Sequence, residues 1–370
     1  MAMPVPLRIP AALAVVVLSI TLTACASTQP SATPSPTSPT IAPPTSPPEP
    51  EAVRPVNVTG TTCDQLVPLE LIEAAAGAEL VPGGVLQDAL ADAFVRAQFE
   101  YAGGLWCTWL DAASGELRSF ASMVPSGEAA EVRVSEEFAE FAGGTPITEA
   151  RPLSAGCLYD YCRVDGSIDG DFVHLAVVDL PWFSGDAEIP AEVQALQDAL
   201  ATKLAALPPA AAIPPLTAPW SDGPHSCEEL VPSEQLATEL GASAVRYSPG
   251  YAYEESIGTE IALLTAGGFT CRFATDDQPS GGRVVVLPDA ASAHGDAMAS
   301  AGASPDPATG AVISCRPNGD TVDASITCSA SVAAGGAWLA MSDTDYVEEA
   351  ALIQRVSRTL ATFAAALEAH

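Results

Sequence analysis

The stretch CDQLVPLELIEAAAG, residues 63–77, returns as CEELVPSEQLATELG at residues 227–241, and this recurrence decides the architecture. Both read Cys, acid, x, Leu-Val-Pro, x, Glu, and both reach a glycine nine residues after the proline, at Gly77 and Gly241. Downstream, AGGLWC (Ala102 to Cys107) is matched by AGGFTC (Ala266 to Cys271), so one offset of 164 residues aligns both blocks without a gap. Two separate motifs in one register identify a tandem duplication.

Overlaying the copies gives their elements. Pro68 and Pro232 suit a first helical turn, and Gly77 and Gly241 suit the position just past a helix end. Segments around Cys107-Thr108-Trp109 and Cys271-Arg272-Phe273 alternate as strands do. So do Glu116 to Val124 and Arg283 to Leu287, each followed by a proline (Pro125, Pro288) and a short Ala/Glu-rich helical stretch. Phe172 to Leu180 and Ala337 to Met341 are further strands. Each copy closes with apolar residues at helical spacing: Val193, Leu196, Leu200, Leu204 and Leu207 in the first, Ile353, Val356, Leu360, Phe363 and Leu367 in the second. The order helix, strands, helix, strands, helix predicts an α+β fold. Two tandem homologous domains are expected, at 60–208 and 222–370, each an antiparallel sheet packed with N- and C-terminal helices. The proline-rich segment 209–221 between them reads as a linker.

Apart from Cys25, four cysteines fall in each copy: Cys63, Cys107, Cys157 and Cys162, then Cys227, Cys271, Cys315 and Cys328. An even number in a secreted context is a disulfide framework. The first spacing is 44 in both copies, whereas the second is 5 in one and 13 in the other. A hairpin tip absorbs such a change while the strand positions beneath it stay put. The expected pairs are therefore Cys63–Cys107, Cys157–Cys162, Cys227–Cys271 and Cys315–Cys328. Metal ligation lacks paired Cys-x-x-Cys spacing and nearby histidines.

Residues 1–25 read MAMPVPLRIPAALAVVVLSITLTAC. The apolar run Ala11 to Leu22 suits a signal-peptide core and falls short of the roughly 20 residues a membrane span needs. It ends in Leu22-Thr23-Ala24-Cys25, which resembles the lipobox of bacterial lipoproteins. The resemblance implies cleavage after residue 24 and acylation of Cys25, with more than one acyl chain giving stable anchoring. Residues 25–59 are rich in Pro, Ser and Thr and cannot build a core. Some thirty extended residues at about 3.1 Å each would hold a domain on the order of 90 Å from the membrane. Asn57-Val58-Thr59 matches a glycosylation sequon, which carries no weight behind a bacterial lipobox.

The 370 residues hold 46 Asp and Glu against 14 Lys and Arg, a formal charge of -32 that excludes nucleic-acid binding by charge. At 48% hydrophobic, the chain has apolar surface enough for cores. No nucleophile elbow, phosphate-binding loop or dinucleotide fingerprint occurs. Of the four histidines, His174 lies in an alternating strand as a packed or surface residue, His225 lies beside the linker, and His370 is terminal; His294 falls in no metal-protease or Cys/His arrangement. Asp165, Asp169 and Asp171 in DGSIDGD lack calcium-loop spacing and read as a solvated acidic turn, as do Asp343 and Asp345. Glu136 and Glu137 read as a surface-helix pair. Trp106 and Trp109, three apart on a strand, point to opposite faces, one toward the disulfide; the second copy has Thr270 and Phe273 there.

The lipobox, the Pro/Ser/Thr stalk and domains opening Cys-acid-x-Leu-Val-Pro, with a later Cys-x-Trp, together resemble uncharacterised cell-envelope lipoproteins of actinobacteria. A single lysine, Lys203, against thirteen arginines fits a GC-rich genome of that kind. The resemblance implies a lipid-anchored protein on the extracytoplasmic face of the cell membrane and supplies no catalytic residues. The expectation is a non-enzymatic binding or scaffolding protein without cofactor or metal, its partners the membrane, through Cys25, and an envelope protein or small ligand held between the domains. The alternatives are a carrier of a lipid or other apolar ligand, which would need a large apolar cavity within one domain, and a cell-wall hydrolase.

Overall fold

The first copy runs α1 (Cys63–Leu66), α2 (Leu69–Ala76), β1 (Leu80–Pro82), α3 (Ala89–Tyr101), β2 (Leu105–Asp111), β3 (Leu117–Pro125), β4 (Leu153–Leu158), β5 (Tyr161–Ile168), β6 (Asp171–Val177) and α4 (Ala191–Leu204). The second runs α5 (Cys227–Leu230), α6 (Ser233–Leu240), β7 (Val245–Ser248), α7 (Ile257–Thr265), β8 (Phe269–Thr275), β9 (Gln278–Leu287), α8 (Ala291–Ala301), β10 (Val312–Pro317), β11 (Ile326–Ala334), β12 (Ala337–Asp345) and α9 (Glu349–Ala369). These elements belong to a computed structural model that describes residues 57–83, 89–125, 153–158, 161–178, 189–217, 220, 223–248, 257–276, 278–306, 309–318, 325–346 and 348–370. Cys25, and the helical stretch expected after Pro125 with Glu136 and Glu137, lie outside the described residues.

The repeated motif folds alike in both copies. The Thr62 backbone N–H donates to Gln65 Oε1 at 3.1 Å, and Ser226 Oγ accepts from the Glu229 N–H at 3.3 Å, so each first short helix has a polar cap. Leu66 and Val67, like Leu230 and Val231, are buried beneath it. Pro68 and Pro232 stand at the N-cap of the next helix, one position earlier than expected, with extended ψ of 125° and 139°. Gly77 and Gly241 end those helices at φ 65° and 69°, a left-handed turn that glycine makes without strain.

Each copy builds a six-stranded sheet, in the orders β1-β2-β3-β6-β5-β4 and β7-β8-β9-β12-β11-β10, antiparallel at every pairing. The strand orders are the same. The registers also agree residue by residue. Cys107 faces Ala121, which faces Leu175, which faces Val164, two positions from Cys162. Cys271 faces Val284, which faces Met341, which faces Ala330, two positions from Cys328. The disulfides are Cys63–Cys107, Cys157–Cys162, Cys227–Cys271 and Cys315–Cys328, as expected. One in each copy ties the first helix to a strand, and the other joins directly opposed residues of an edge hairpin.

The first and last helices cover the outer face of each sheet. In the first copy Leu66, Ile72, Trp109, Met123, Leu196 and Leu200 form that core, with Cys107 beside Trp109. In the second it is built from Leu236, Phe273, Leu339, Val356 and Phe363 among others. Helix α9 buries Leu352, Val356, Leu360, Phe363 and Leu367, so Leu352 rather than Ile353 starts the stripe.

The sequence order omitted α3 and α7, and these two helices join the copies. They pack on each other between the inner sheet faces; α3 also meets α8, and α7 lies on β3 and β6 of the first sheet. A core drawn from both copies results, in which Phe94 meets Trp338 edge-on at 5.1 Å and Trp106 lies between Phe99 and Phe120. Residues 51–370 thus form one compact unit. The segment after α4 crosses both copies. The Ala211 N–H donates to the Val58 carbonyl at 3.1 Å, and the Thr217 N–H donates to Asp289 at 2.9 Å. Gly103 and Gly267, at φ 71° and 76°, end α3 and α7; a side chain at the first would collide with Val58 and Ile213, and at the second with Leu216.

Candidate functional site

The inner faces of the two sheets are matched in register and opposed in chemistry. Across β4-β5-β6-β3-β2, the first copy places Gly156, Arg163, Ala176, Phe120 and Thr108 in one row. The second places Ser314, Ser329, Ser342, Arg283 and Arg272 at the equivalent positions. In the next row, Asp165, His174 and Ser122 of the first copy correspond to Ser331, Ala340 and Val285 of the second.

The first face is closed. Asp165 and His174 are each 2% exposed, Asp165 accepts a hydrogen bond from His174 Nδ1, and Arg163 Nε lies 3.4 Å from the same carboxylate. This corrects the reading of Asp165 as part of a solvated acidic turn: strand pairing carries it inward, where a cation and an imidazole offset the loss of water. Asp169 occupies the hairpin turn at φ 53°, and burial beside Asp169 pushes the Asp171 carboxyl up. His174 is packed under Phe120, ring centroids 5.3 Å apart. Helix α7 seals the row at Gly258, where a Cβ would sit 2.7 Å from Ser122 Oγ. Ser, His and Asp therefore stand side by side on three strands, yet beneath a helix that leaves no room for a substrate.

The second face is open at one end. A cleft of about 210 Å³ lies between α3 and the floor of β9, β10, β11 and β12, with Thr259 of α7 at its side. Leu90, Phe94 and Val95 form an apolar roof; the floor mixes Arg283, Ser314, Ser329 and Ser342 with Val285, Val312 and Met341. Gln98 of α3 also lines it, is 3% exposed, and has no hydrogen-bond partner at Oε1 among the described residues. Arg283 has a buried Nε without a partner among the described residues, while its Nη2 lies 3.7 Å from Glu260 Oε2. Burial and the nearby Arg272 charge hold the Arg283 guanidinium below its ordinary range, against the pull of Glu260. His294 of α8 meets Ser331 Oγ at 3.3 Å on the same sheet face as the cleft and lies edge-on against Trp338, and burial pushes its pKa down.

Elsewhere the structure redistributes the sequence candidates. Asp343 is buried, not solvated: Arg355 of α9 reaches it at 2.7 Å and Asp345 at 3.0 Å, clamping the helix to β12. His225 and His370 are exposed, and the His225 N–H donates to Glu229 Oε2 at 2.9 Å. Asn57 holds the turn before α1, its Oδ1 accepting from the Thr59 N–H at 3.0 Å. Among the described residues no group of three or more His, Cys, Asp or Glu is placed to hold a metal ion, and no helix is long and apolar enough to cross a membrane.

Sequence reasoning missed Gln98, Arg283 and the serine row. Their signal is the exchange of Phe120, Ala176 and Arg163 for Arg283, Ser342 and Ser329, visible only once the strand registers align the copies. No protein family, curated protein or solved structure matches the chain.

Proposed function

We propose that this chain is an extracytoplasmic lipoprotein, anchored through acylated Cys25, that binds a small ligand non-enzymatically in the cleft between its two copies. Four disulfides fit an oxidising compartment outside the cytoplasm. The observation that carries the binding role is a cleft roofed by apolar side chains of one copy and floored by a mixed row of hydroxyls, Arg283 and aliphatic side chains of the other, at a volume below the roughly 300–1,000 Å³ of pockets that hold drug-sized ligands. The Ser122–His174–Asp165 row lies sealed, which supports binding over turnover.

The test is a thermal-shift screen of envelope metabolites and cell-wall fragments against the intact protein and Ser342→Phe, which fills the floor beside Arg283. Hits should raise the midpoint of the wild type and not of the variant, with both showing the same far-UV spectrum. Hits that stabilise both equally would move binding away from the cleft. Turnover of any hit would remove the non-enzymatic reading. Membrane retention unchanged by Cys25→Ala would remove the anchor.

A further inference from the structure

We propose that the edge of β10 captures a short extended peptide from a partner protein, which adds a strand to the second sheet and turns one apolar side chain under α3. This goes beyond the small-ligand reading and uses the same cleft. β10 is the last strand of its sheet, paired with β11 on one side and with no strand of the described residues on the other. The disulfide it carries fixes which main-chain groups face outward. Cys315 opposes Cys328 with Cα atoms 4.1 Å apart. That is near the roughly 4.5 Å of an antiparallel pair that exchanges no hydrogen bonds, and well short of the roughly 5.5 Å of one that does. The Cys315 N–H and C=O therefore point away from β11, and by alternation so do those of Ile313. Pro317 has no N–H and ends this edge. Ile313 and Cys315, each offering a donor and an acceptor, suit a short added strand rather than a whole sheet.

Side chains on β10 alternate between two environments. Ile313 and Cys315 pack against the outer core, while Val312 and Ser314 line the cleft. A strand laid along β10 therefore turns the residue opposite Ser314 to the cleft side and its two neighbours to the other. The cleft opens at this edge: along the floor row from β12 to β10, Ser342 and Ser329 are half-buried and Ser314 is exposed. Leu90, Phe94 and Val95 above, with Val312 beside it, make the mouth apolar, so an apolar side chain gains most by entering. The first copy offers no such edge, since β4 is buried from Leu153 to Gly156. A second copy of the chain fits less well. Pairing Ile313 of each with Cys315 of the other sets Ser314 against Ser314, which leaves the cleft empty, and it joins two chains of formal charge -32.

The test is calorimetric titration of the intact protein with the neutral probe acetyl-Thr-Thr-Phe-Thr-Thr-amide and its singly N-methylated forms. Replacing the phenylalanine by asparagine should lower affinity at least tenfold. N-methylation should act alternately. A tenfold loss at both residues flanking phenylalanine, with little change at phenylalanine itself, assigns an antiparallel strand; the reverse pattern assigns a parallel one. Ser329→Phe, which fills the floor beside Ser314, should abolish binding. Ile313→Pro removes an outward N–H and no bond to β11, and should lower affinity at least tenfold; the N-methyl series, read on the unaltered protein, decides even if that variant fails to fold. Sedimentation of the protein alone should show a monomer. Equal effects of N-methylation at all three positions, binding unchanged by Ser329→Phe, no binding of the probe, or a dimer that Ile313→Pro dissociates overturns the proposal. If the probe does not bind while small compounds do, and Ser342→Phe abolishes their binding, the cleft stands as a small-ligand site and strand capture alone falls.

Discussion

Removing Phe94 or Trp338 tests whether the two copies share a core. Phe94 belongs to the first copy and Trp338 to the second; they are 6% and 1% exposed, with centroids 5.1 Å apart and planes at 68°. Truncating either to alanine in a packed core costs about 3–5 kcal/mol. Because the pair is edge-to-face, each loss includes about 0.5–1.5 kcal/mol of mutual interaction, which the second truncation cannot lose again. The double variant should thus be less destabilised than the sum of the singles by that amount. Urea unfolding followed by far-UV circular dichroism suits the measurement, since it survives the loss of a tryptophan. One cooperative transition is expected for all four proteins. Additive singles, or two transitions of which each substitution shifts only one, would refute the shared core.

Arg355→Met leaves Asp343 buried without its cation and should cost about 3–5 kcal/mol, largely recovered in Asp343→Leu with Arg355→Met, by urea midpoint. Replacing Cys63 and Cys107 by serine opens a loop of separation 44 and should cost about 4 kcal/mol, against about 2 kcal/mol for Cys157 and Cys162 at separation 5, a ranking that thermal melts will check. Burial lowers the His294 pKa in the folded chain, so the unfolded chain binds the proton first. The His294 contribution is then complete above the ordinary histidine pKa of about 6.5 and is lost as pH falls through the lowered folded value. His294→Gln should flatten that part of the stability profile between pH 7.5 and 5.0, in urea midpoints taken at about half-unit steps.

What could be read from the residues is what local chemistry fixes. The closing helices announce themselves because one face of each is apolar and the other meets water, as Val356, Leu360 and Phe363 show. The disulfides follow from spacings that either hold or slip between copies. Helix α7 gave no such signal, because IGTEIALLT carries apolar residues around much of its circumference and loses the one-sided stripe. Helix α3 does carry a polar line, Asp92, Arg96 and Glu100 at four-residue spacing, which the reading of the sequence passed over. Strands β1 and β7 span three and four residues, too short for alternation to register. The cleft was illegible for a further reason. Its floor joins residues on four strands separated by loops of unequal length between copies, so Phe120 and Arg283 do not fall on the offset that matches Cys107 to Cys271.

The unlike inner faces also bear on why two copies occupy one chain. In a symmetric pair of identical subunits, every residue at the junction has a twin in the same surroundings. Gly258 would then have to be glycine on both sides, and its counterpart in the repeat, Phe94, phenylalanine on both. A tight seal and an open recess could not coexist. Joining the copies covalently releases each position from its twin: the first sheet keeps a neutralised Arg163–Asp165–His174 plug under a glycine, while the second trades bulk for hydroxyls beneath an aromatic roof. Swapping Arg163, Asp165 and His174 into the second sheet, at Ser329, Ser331 and Ala340, should accordingly close the recess without disturbing the sheet that carries it.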